Sequence, residues 1–241
     1  MNEKLEGKEA AMKFVNKNFP ECHAALLSGS VVRGEDTETS DLDIVVFDEK
    51  LLSSYRESLY EFGWPIEVFA HNFTSYKEFY KSDVKRARPS LPRMVAEGII
   101  IKEDVRMKAL KQEAVEILEK GPPPWTEKDI RAKRYFLTDT LDDFIGCEDR
   151  AEGMFISQTL AELTAEFVLR TNNQWVGSSK WWARALRQFD KEFAERLFKT
   201  LDCYYRNDEK EQVVNVVEGV LRPYGGRLFD GFSMGKEGWR S

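Results

Sequence analysis

A short motif near the N-terminus constrains the fold more than any other part of the chain. An apolar run over residues 24–27 is followed by the small residues Gly29 and Ser30. A polar loop comes next, and then an apolar stretch that carries Asp41 and Asp43. Because successive side chains of a strand point to opposite faces, the two aspartates are predicted to share one face of a strand. Neighbouring carboxylates repel each other unless a cation lies between them, and Mg²⁺ prefers such ligands. The motif therefore predicts two strands joined by a turn, with a metal site beside it.

The turn itself has the composition of a phosphate-binding loop. Gly29 and Ser30 leave the first strand where backbone N–H groups and a hydroxyl can donate to phosphate oxygens. Ser40 closes the loop directly before Asp41. A phosphate cradle next to metal-binding carboxylates predicts phosphoryl or nucleotidyl transfer.

The spacing of this motif resembles a known family. Gly29-Ser30, ten intervening residues and Asp41-x-Asp43 resemble the signature of the DNA polymerase beta-like nucleotidyltransferase superfamily. The loop, with Arg33-Gly34 inside it, is most similar to small bacterial members, among them the aminoglycoside and lincosamide nucleotidyltransferases. The resemblance implies an ATP- and Mg²⁺-dependent transferase.

The resemblance also implies roles for individual residues. Asp41 and Asp43 would hold two Mg²⁺ ions, and Ser30 and Ser40 would contact the triphosphate of ATP or another nucleoside triphosphate. The family needs a third carboxylate on a neighbouring strand, and Glu67 lies alone in an otherwise apolar strand. Glu67 would be a metal ligand or the general base, and an edge glutamate with no such role is the alternative.

Composition limits the class of protein and its partners. The 241 residues are 42% hydrophobic and 32% charged, as in ordinary soluble proteins. The net charge of −6 counts against general binding to nucleic acid. No apolar run reaches the roughly 18 residues of a membrane helix, no secretory signal is recognisable, and the three cysteines lack metal-ligand spacing. We expect a cytoplasmic protein with no membrane partner, either a monomer or a homodimer.

The prolines at Gly121-Pro122-Pro123-Pro124 divide the predicted elements into two groups. The fold class is α+β, with a mixed-sheet catalytic domain over 1–120 and an all-helical substrate-binding domain over 125–241. In the first domain the patterns predict helices over 8–18, 74–82, 92–97 and 104–119, and strands over 24–28, 41–47, 66–71 and 99–101, with 55–62 as an antiparallel hairpin partner of 66–71. In the second they predict an irregular tail from Pro223 to Ser241 and helices over 127–145, 152–170, 180–187, 190–204 and 209–221.

Two features of the helical domain are candidates for substrate contacts. Lys180 follows a Gly-Ser stretch, and in the resembling enzymes a lysine in a comparable stretch reaches the nucleotide. The alternative is that Lys180-Trp181-Trp182 only contributes its tryptophans to the core of the helical domain. Asp139, Asp142 and Asp143 share one face of a helix. That face is either solvated or an acidic wall for the ammonium groups of an aminoglycoside.

The predicted reaction is the transfer of AMP from ATP to a hydroxyl of a small molecule, with antibiotic O-adenylylation as the first candidate. The acceptor is expected between the two domains. Two alternatives belong to other classes. One is a toxin–antitoxin nucleotidyltransferase that modifies a protein or tRNA, and the other is a non-catalytic nucleotide-binding module.

Overall fold

Residues 4–235 are described by the computed structural model, and the chain divides into two units, Met1–Gly121 and Pro122–Ser241. The division falls at the proline stretch that the sequence marks as a break. The assignment of a catalytic role to one unit and a substrate-binding role to the other stays a prediction.

The N-terminal unit is a mixed sheet with helices on both faces. Within the described residues its strands are β1 (Ala24–Ser28), β2 (Leu42–Phe47), β3 (Tyr55–Glu61), β4 (Trp64–His71) and β5 (Ile99–Lys102). They form one sheet in the order β3-β4-β2-β1-β5, in which β2 and β4 are parallel and all other neighbours are antiparallel. Its helices are α1 (Gly7–Asn18), α2 (Tyr76–Lys85), α3 (Ser90–Glu97) and α4 (Met107–Lys120).

Alternation along the central strands separates two apolar layers. Ile44 and Val46 of β2 pack in one layer with residues of α1, among them Phe14. Val45 and Phe47 face the opposite layer, which α2, α3 and α4 supply. Because side chains alternate, Asp43 lies on the same face as Val45 and Phe47. The aspartate therefore sits where the second apolar layer ends.

The predicted hairpin of β3 and β4 is confirmed. The two strands pair antiparallel, with Tyr55 opposite Ala70 and Glu61 opposite Trp64. Phe62 and Gly63 connect them with φ values of 52° and 80°. Two positive φ values in a two-residue connection match the right-handed twist of the flanking strands.

The C-terminal unit is helical throughout its described part. Its helices are α5 (Glu127–Gly146), α6 (Arg150–Thr171), α7 (Lys180–Phe189), α8 (Lys191–Asn207) and α9 (Glu211–Leu221). Thr126 begins α5 with a capping box, in which its side chain and that of Asp129 each accept a backbone N–H. Leu137, Leu141 and Phe144 pack in the core of this unit. Ile145, the residue after Phe144, is instead 42% exposed.

The predicted tail is irregular as far as it is described. A short 3₁₀ turn spans Arg222–Tyr224, and residues 225–235 contain neither helix nor strand. Arg134 of α5 holds this segment by donating to the carbonyls of Gly225, Gly226 and Arg227. The last six residues of the predicted tail lie outside the described range.

The α+β fold class is confirmed, and each predicted helix and strand is present within a few residues of its expected ends. Among residues 4–235, none of the helices combines the length and the apolar character that crossing a membrane requires.

Candidate active site

Four polar residues form a row across the sheet. Strand pairing places Ser28 opposite Asp43, Asp43 opposite Glu67, and Glu67 opposite Ser58. Paired residues of neighbouring strands point to the same face, so the row lies on the face that carries α2, α3 and α4. A shift by one residue would move each apolar side chain of β2 from one apolar layer to the other, so the packing of both layers favours this register. The sheet therefore brings two carboxylates together that are 24 positions apart in the sequence.

Three carboxylates meet at this point. Asp41 directly precedes β2, and one oxygen of each of Asp41, Asp43 and Glu67 lies within 4.8 Å of the others. All three side chains are partly exposed. Such oxygen donors suit Mg²⁺, which keeps several waters and binds through a few carboxylates. The three predicted ligands are thus in one place, while their roles stay predictions.

The backbone of Gly29 forms one wall of this site. Gly29 has a φ of +82°, and a Cβ atom added to it would lie 2.1 Å from Oδ2 of Asp43. Only glycine adopts this conformation without strain and leaves room for the carboxylate. The glycine of the motif is therefore required by the position of Asp43.

Hydrogen bonds bring the two predicted phosphate-contacting serines together. The hydroxyl of Ser30 donates to that of Ser40 at 3.2 Å, and Ser40 in turn accepts the backbone N–H of Thr37 at 2.8 Å. The turn after Ser30 is closed by the N–H groups of Arg33 and Glu35, which both donate to its carbonyl. Both hydroxyls consequently lie at one end of the loop, next to Asp41 in the chain.

The environment of Asp43 disfavours its ionised form. Burial and, to a smaller extent, the negative charges of Asp41 and Glu67 raise the pKa of Asp43 to about 6, although the positive charges of Arg33 and Arg56 oppose this shift. A cation next to Asp43 would stabilise the ionised form of its carboxylate. A divalent ion therefore fits the electrostatics of the site as well as its donor atoms.

The buried hydroxyl of Ser28 is a second indication that the site accommodates another group. It is 1% exposed, and its Oγ atom makes no hydrogen bond with any residue in the described part of the chain. Buried hydroxyl groups are nearly always hydrogen-bonded. This unpaired hydroxyl stands opposite Asp43 in the sheet.

Sequence reasoning missed Arg56. Its Nη2 atom donates to both carboxylate oxygens of Glu67, each at 2.5 Å. The guanidinium also lies 5.1 Å from the ring centre of Phe69. The alternation of β3 predicts which face Arg56 occupies, but only the pairing of β3 with β4 places it at Glu67.

Arg33 has a structural role in the N-terminal unit. It forms ion pairs with Glu35 and with Glu97 of α3, each at 3.1 Å. The ion pair with Glu97 ties the loop to α3.

The candidates in the C-terminal unit are exposed. Lys180 is the first residue of α7, and Asp139, Asp142 and Asp143 lie on the exposed side of α5. Asp142 forms an ion pair with Arg227 at 2.7 Å. Part of the acidic face is therefore already neutralised, and the roles of these four residues in substrate binding stay predictions.

Comparisons with known proteins find structural similarity but no family match. No protein-family model matches the chain, and no curated protein matches it. The chain is similar to the crystal structure of a nucleotidyltransferase-like protein from Exiguobacterium sibiricum, with a TM-score of 0.46 and 13% sequence identity. The similarity covers 90% of this chain and 74% of that one.

Proposed function

We propose that this protein is a metal-dependent nucleotidyltransferase that moves a nucleoside monophosphate from a nucleoside triphosphate to a hydroxyl of a small molecule. The observation that carries the proposal is the meeting of the Asp41, Asp43 and Glu67 oxygens within 4.8 Å, beside the Gly29–Ser30 turn. Divalent ions bound there would neutralise the triphosphate and lower the pKa of the acceptor hydroxyl.

The residues of the chain divide the remaining work. Asp41 and Asp43 would hold the ions, and the hydroxyls of Ser30 and Ser40 would donate to phosphate oxygens. Glu67 would serve as a metal ligand or accept the proton of the acceptor hydroxyl. The acceptor oxygen forms a bond to the α-phosphorus, the bond to the bridging oxygen breaks, and pyrophosphate leaves. The orphaned Ser28 hydroxyl and the raised pKa of Asp43 support a site that is completed by a bound cation.

The substrate classes of the proposal are ATP and a hydroxylated antibiotic of the aminoglycoside or lincosamide type. The test is incubation with α-labelled ATP, Mg²⁺ and a panel of these antibiotics, with total RNA and a protein extract as further acceptors. Label on a small molecule supports the proposal. Label confined to RNA or protein would favour the toxin-like alternative, and absence of transfer in every fraction would favour a binding module.

Matched variants connect the activity to the site. Asp41→Asn and Asp43→Asn should each lower transfer by about a thousandfold or more, because each removes a ligand. Asp36→Asn changes the same charge in the same loop at an exposed position and should leave transfer unchanged. Near-normal turnover by Asp43→Asn would refute the metal-dependent mechanism.

A further inference from the structure

Arg56 is a cation in direct contact with a carboxylate of the acidic site, and the resemblance to known enzymes assigns it no role. We infer that Arg56 is a positioning residue for Glu67 and also a resident cation that opposes the binding of divalent metal. This inference rests on the proposed function, because it concerns the same site.

The geometry of the contact leaves Glu67 able to act. A single nitrogen of Arg56 donates to both oxygens of Glu67, so each oxygen uses one lone pair and keeps another for a metal or a proton. Arg56 pairs with Phe69 in the sheet, two positions from Glu67 on the same face. The guanidinium rests against the Phe69 ring, and this contact limits the rotamers that it can adopt. Arg56 thus fixes the orientation of the Glu67 carboxylate and leaves one lone pair on each of its oxygens available.

The charges at the site give this arginine a second effect. Asp41, Asp43 and Glu67 together carry up to three negative charges within a few ångströms. Arg33, the other arginine that acts on Asp43, is engaged by Glu35 and Glu97. The positive charge of Arg56 relieves part of the repulsion that a metal ion would otherwise relieve. Removing it should leave a site that is more attractive to metal but has a less ordered Glu67.

These two effects distinguish the inferred role of Arg56 from that of an arginine in an ordinary surface ion pair. Arg56 is exposed, and an exposed pair contributes little to stability. A pair of that kind would change neither metal affinity nor turnover when it is removed. The inferred role instead predicts changes in opposite directions, with tighter metal binding and slower catalysis.

The experiment compares Arg56→Gln and Arg56→Lys with the full-length wild-type chain. Binding of Mn²⁺ in the absence of nucleotide is measured from the electron paramagnetic resonance signal of the free ion. Arg56→Gln should bind Mn²⁺ roughly two- to fivefold more tightly, the fold-change that corresponds to losing one nearby charge. Its kcat for nucleotidyl transfer should fall about ten- to a hundredfold, with little change in the KM for ATP, because a misplaced group slows the chemical step.

The lysine variant separates charge from shape. Lysine keeps the positive charge but loses the planar, multiply donating head. Arg56→Lys should therefore bind Mn²⁺ within about twofold of wild type and still have a reduced kcat. Arg106→Gln is the matched control, because Arg106 also pairs with carboxylates, Asp104 and Glu49, and stacks on Phe73, away from the triad. It should change neither quantity.

The Mn²⁺ affinity and the kcat of Arg56→Gln each test one part of the inference. Mn²⁺ affinity that is unchanged or weakened in Arg56→Gln overturns the role as an opposing cation, and an unchanged kcat overturns the positioning role. Asp43→Asn separates these failures from failure of the proposed function. If Asp43→Asn binds Mn²⁺ like wild type, the metal site itself is wrong. If it loses Mn²⁺ while Arg56→Gln behaves like wild type, only the present inference fails.

Discussion

At the scale of single residues, the site depends on a contact between a backbone and a carboxylate. Gly29 lets Asp43 lie against the main chain, and the partly buried Asp43 lies next to two other acids. Charge repulsion among these acids opposes folding, and Arg33 and Arg56 relieve only part of it. A cation bound at the proposed site would relieve the remaining repulsion.

The requirement for glycine can be tested with a matched pair of variants. Gly29→Ala should destabilise the protein by about 2–4 kcal/mol and abolish metal binding, because the added Cβ meets Oδ2 of Asp43 and the backbone is left-handed. Gly34→Ala has a φ of +66° but nothing within 4 Å of its Cβ, so it should cost only about 1–2 kcal/mol. Urea unfolding and Mn²⁺ binding measure the difference. Equal costs at both positions would contradict the close contact.

The raised pKa of Asp43 predicts a pH dependence of stability in the presence of EDTA. Its pKa is about 6 in the folded protein against an ordinary value of 3.8, so between pH 4 and 6 the folded state binds more protons than the unfolded state. Stability from this group is therefore greatest at low pH and falls as the pH rises through that window, by on the order of 1–3 kcal/mol.

His71 has the opposite effect in the same window. Burial lowers its pKa to about 4, so the stability of the protein rises with pH as this histidine loses its proton in the unfolded state. The comparison of wild type with Asp43→Asn cancels this contribution. The free energy of unfolding of the variant, minus that of wild type, should increase from pH 4 to pH 6. A constant difference would show that Asp43 titrates normally.

At the scale of elements, the sequence pattern indicates which face of a helix or strand is exposed. It does not indicate whether the charged residues on that face already form ion pairs. The exposed acidic face of α5 is an example, because Asp142 is paired with Arg227 while Asp139 and Asp143 share the same exposed side. If this face binds a cationic acceptor, the carboxylates of Asp139 and Asp143 should contribute more than that of Asp142, which is already paired.

We predict that Asp139→Asn combined with Asp143→Asn raises the KM for an aminoglycoside acceptor roughly two- to thirtyfold, at about 0.2–1 kcal/mol for each exposed charge. The KM for ATP should stay unchanged, and the effect should shrink at high salt. Asp142→Asn alone is the control and should have a smaller effect. If the double variant has a wild-type KM, this face is only a solvated helix surface.

At the scale of the whole molecule, two units with separate apolar cores form a single chain. A ligand that binds only the folded state stabilises the unit that holds its site. The acidic site belongs entirely to the N-terminal unit, so ligand binding and the melting of that unit are coupled directly.

Mg²⁺–ATP at about a hundred times its Kd should raise the melting temperature of the N-terminal unit by roughly 5–10 °C. ATP with EDTA should raise it much less, because in the proposed site the affinity for the triphosphate would depend on metal held by Asp41 and Asp43. Calorimetry of the whole chain follows the unfolding of both units. Equal shifts with and without metal would contradict the proposed role of the two aspartates.

The sequence by itself determined the strands, the helices, the break at Gly121 and the carboxylates of the site. The strands, the helices and the break depend on short-range rules, such as alternation, helical periodicity and the effect of proline on the backbone. The carboxylates were identified from the spacing of a motif and from the resemblance that this motif carries. Only the tertiary structure decided that Arg56 binds Glu67, that Arg33 binds Glu97 and that the pKa of Asp43 is raised. Each of these depends on strand register or burial between segments that are distant in the chain, and no local pattern encodes either.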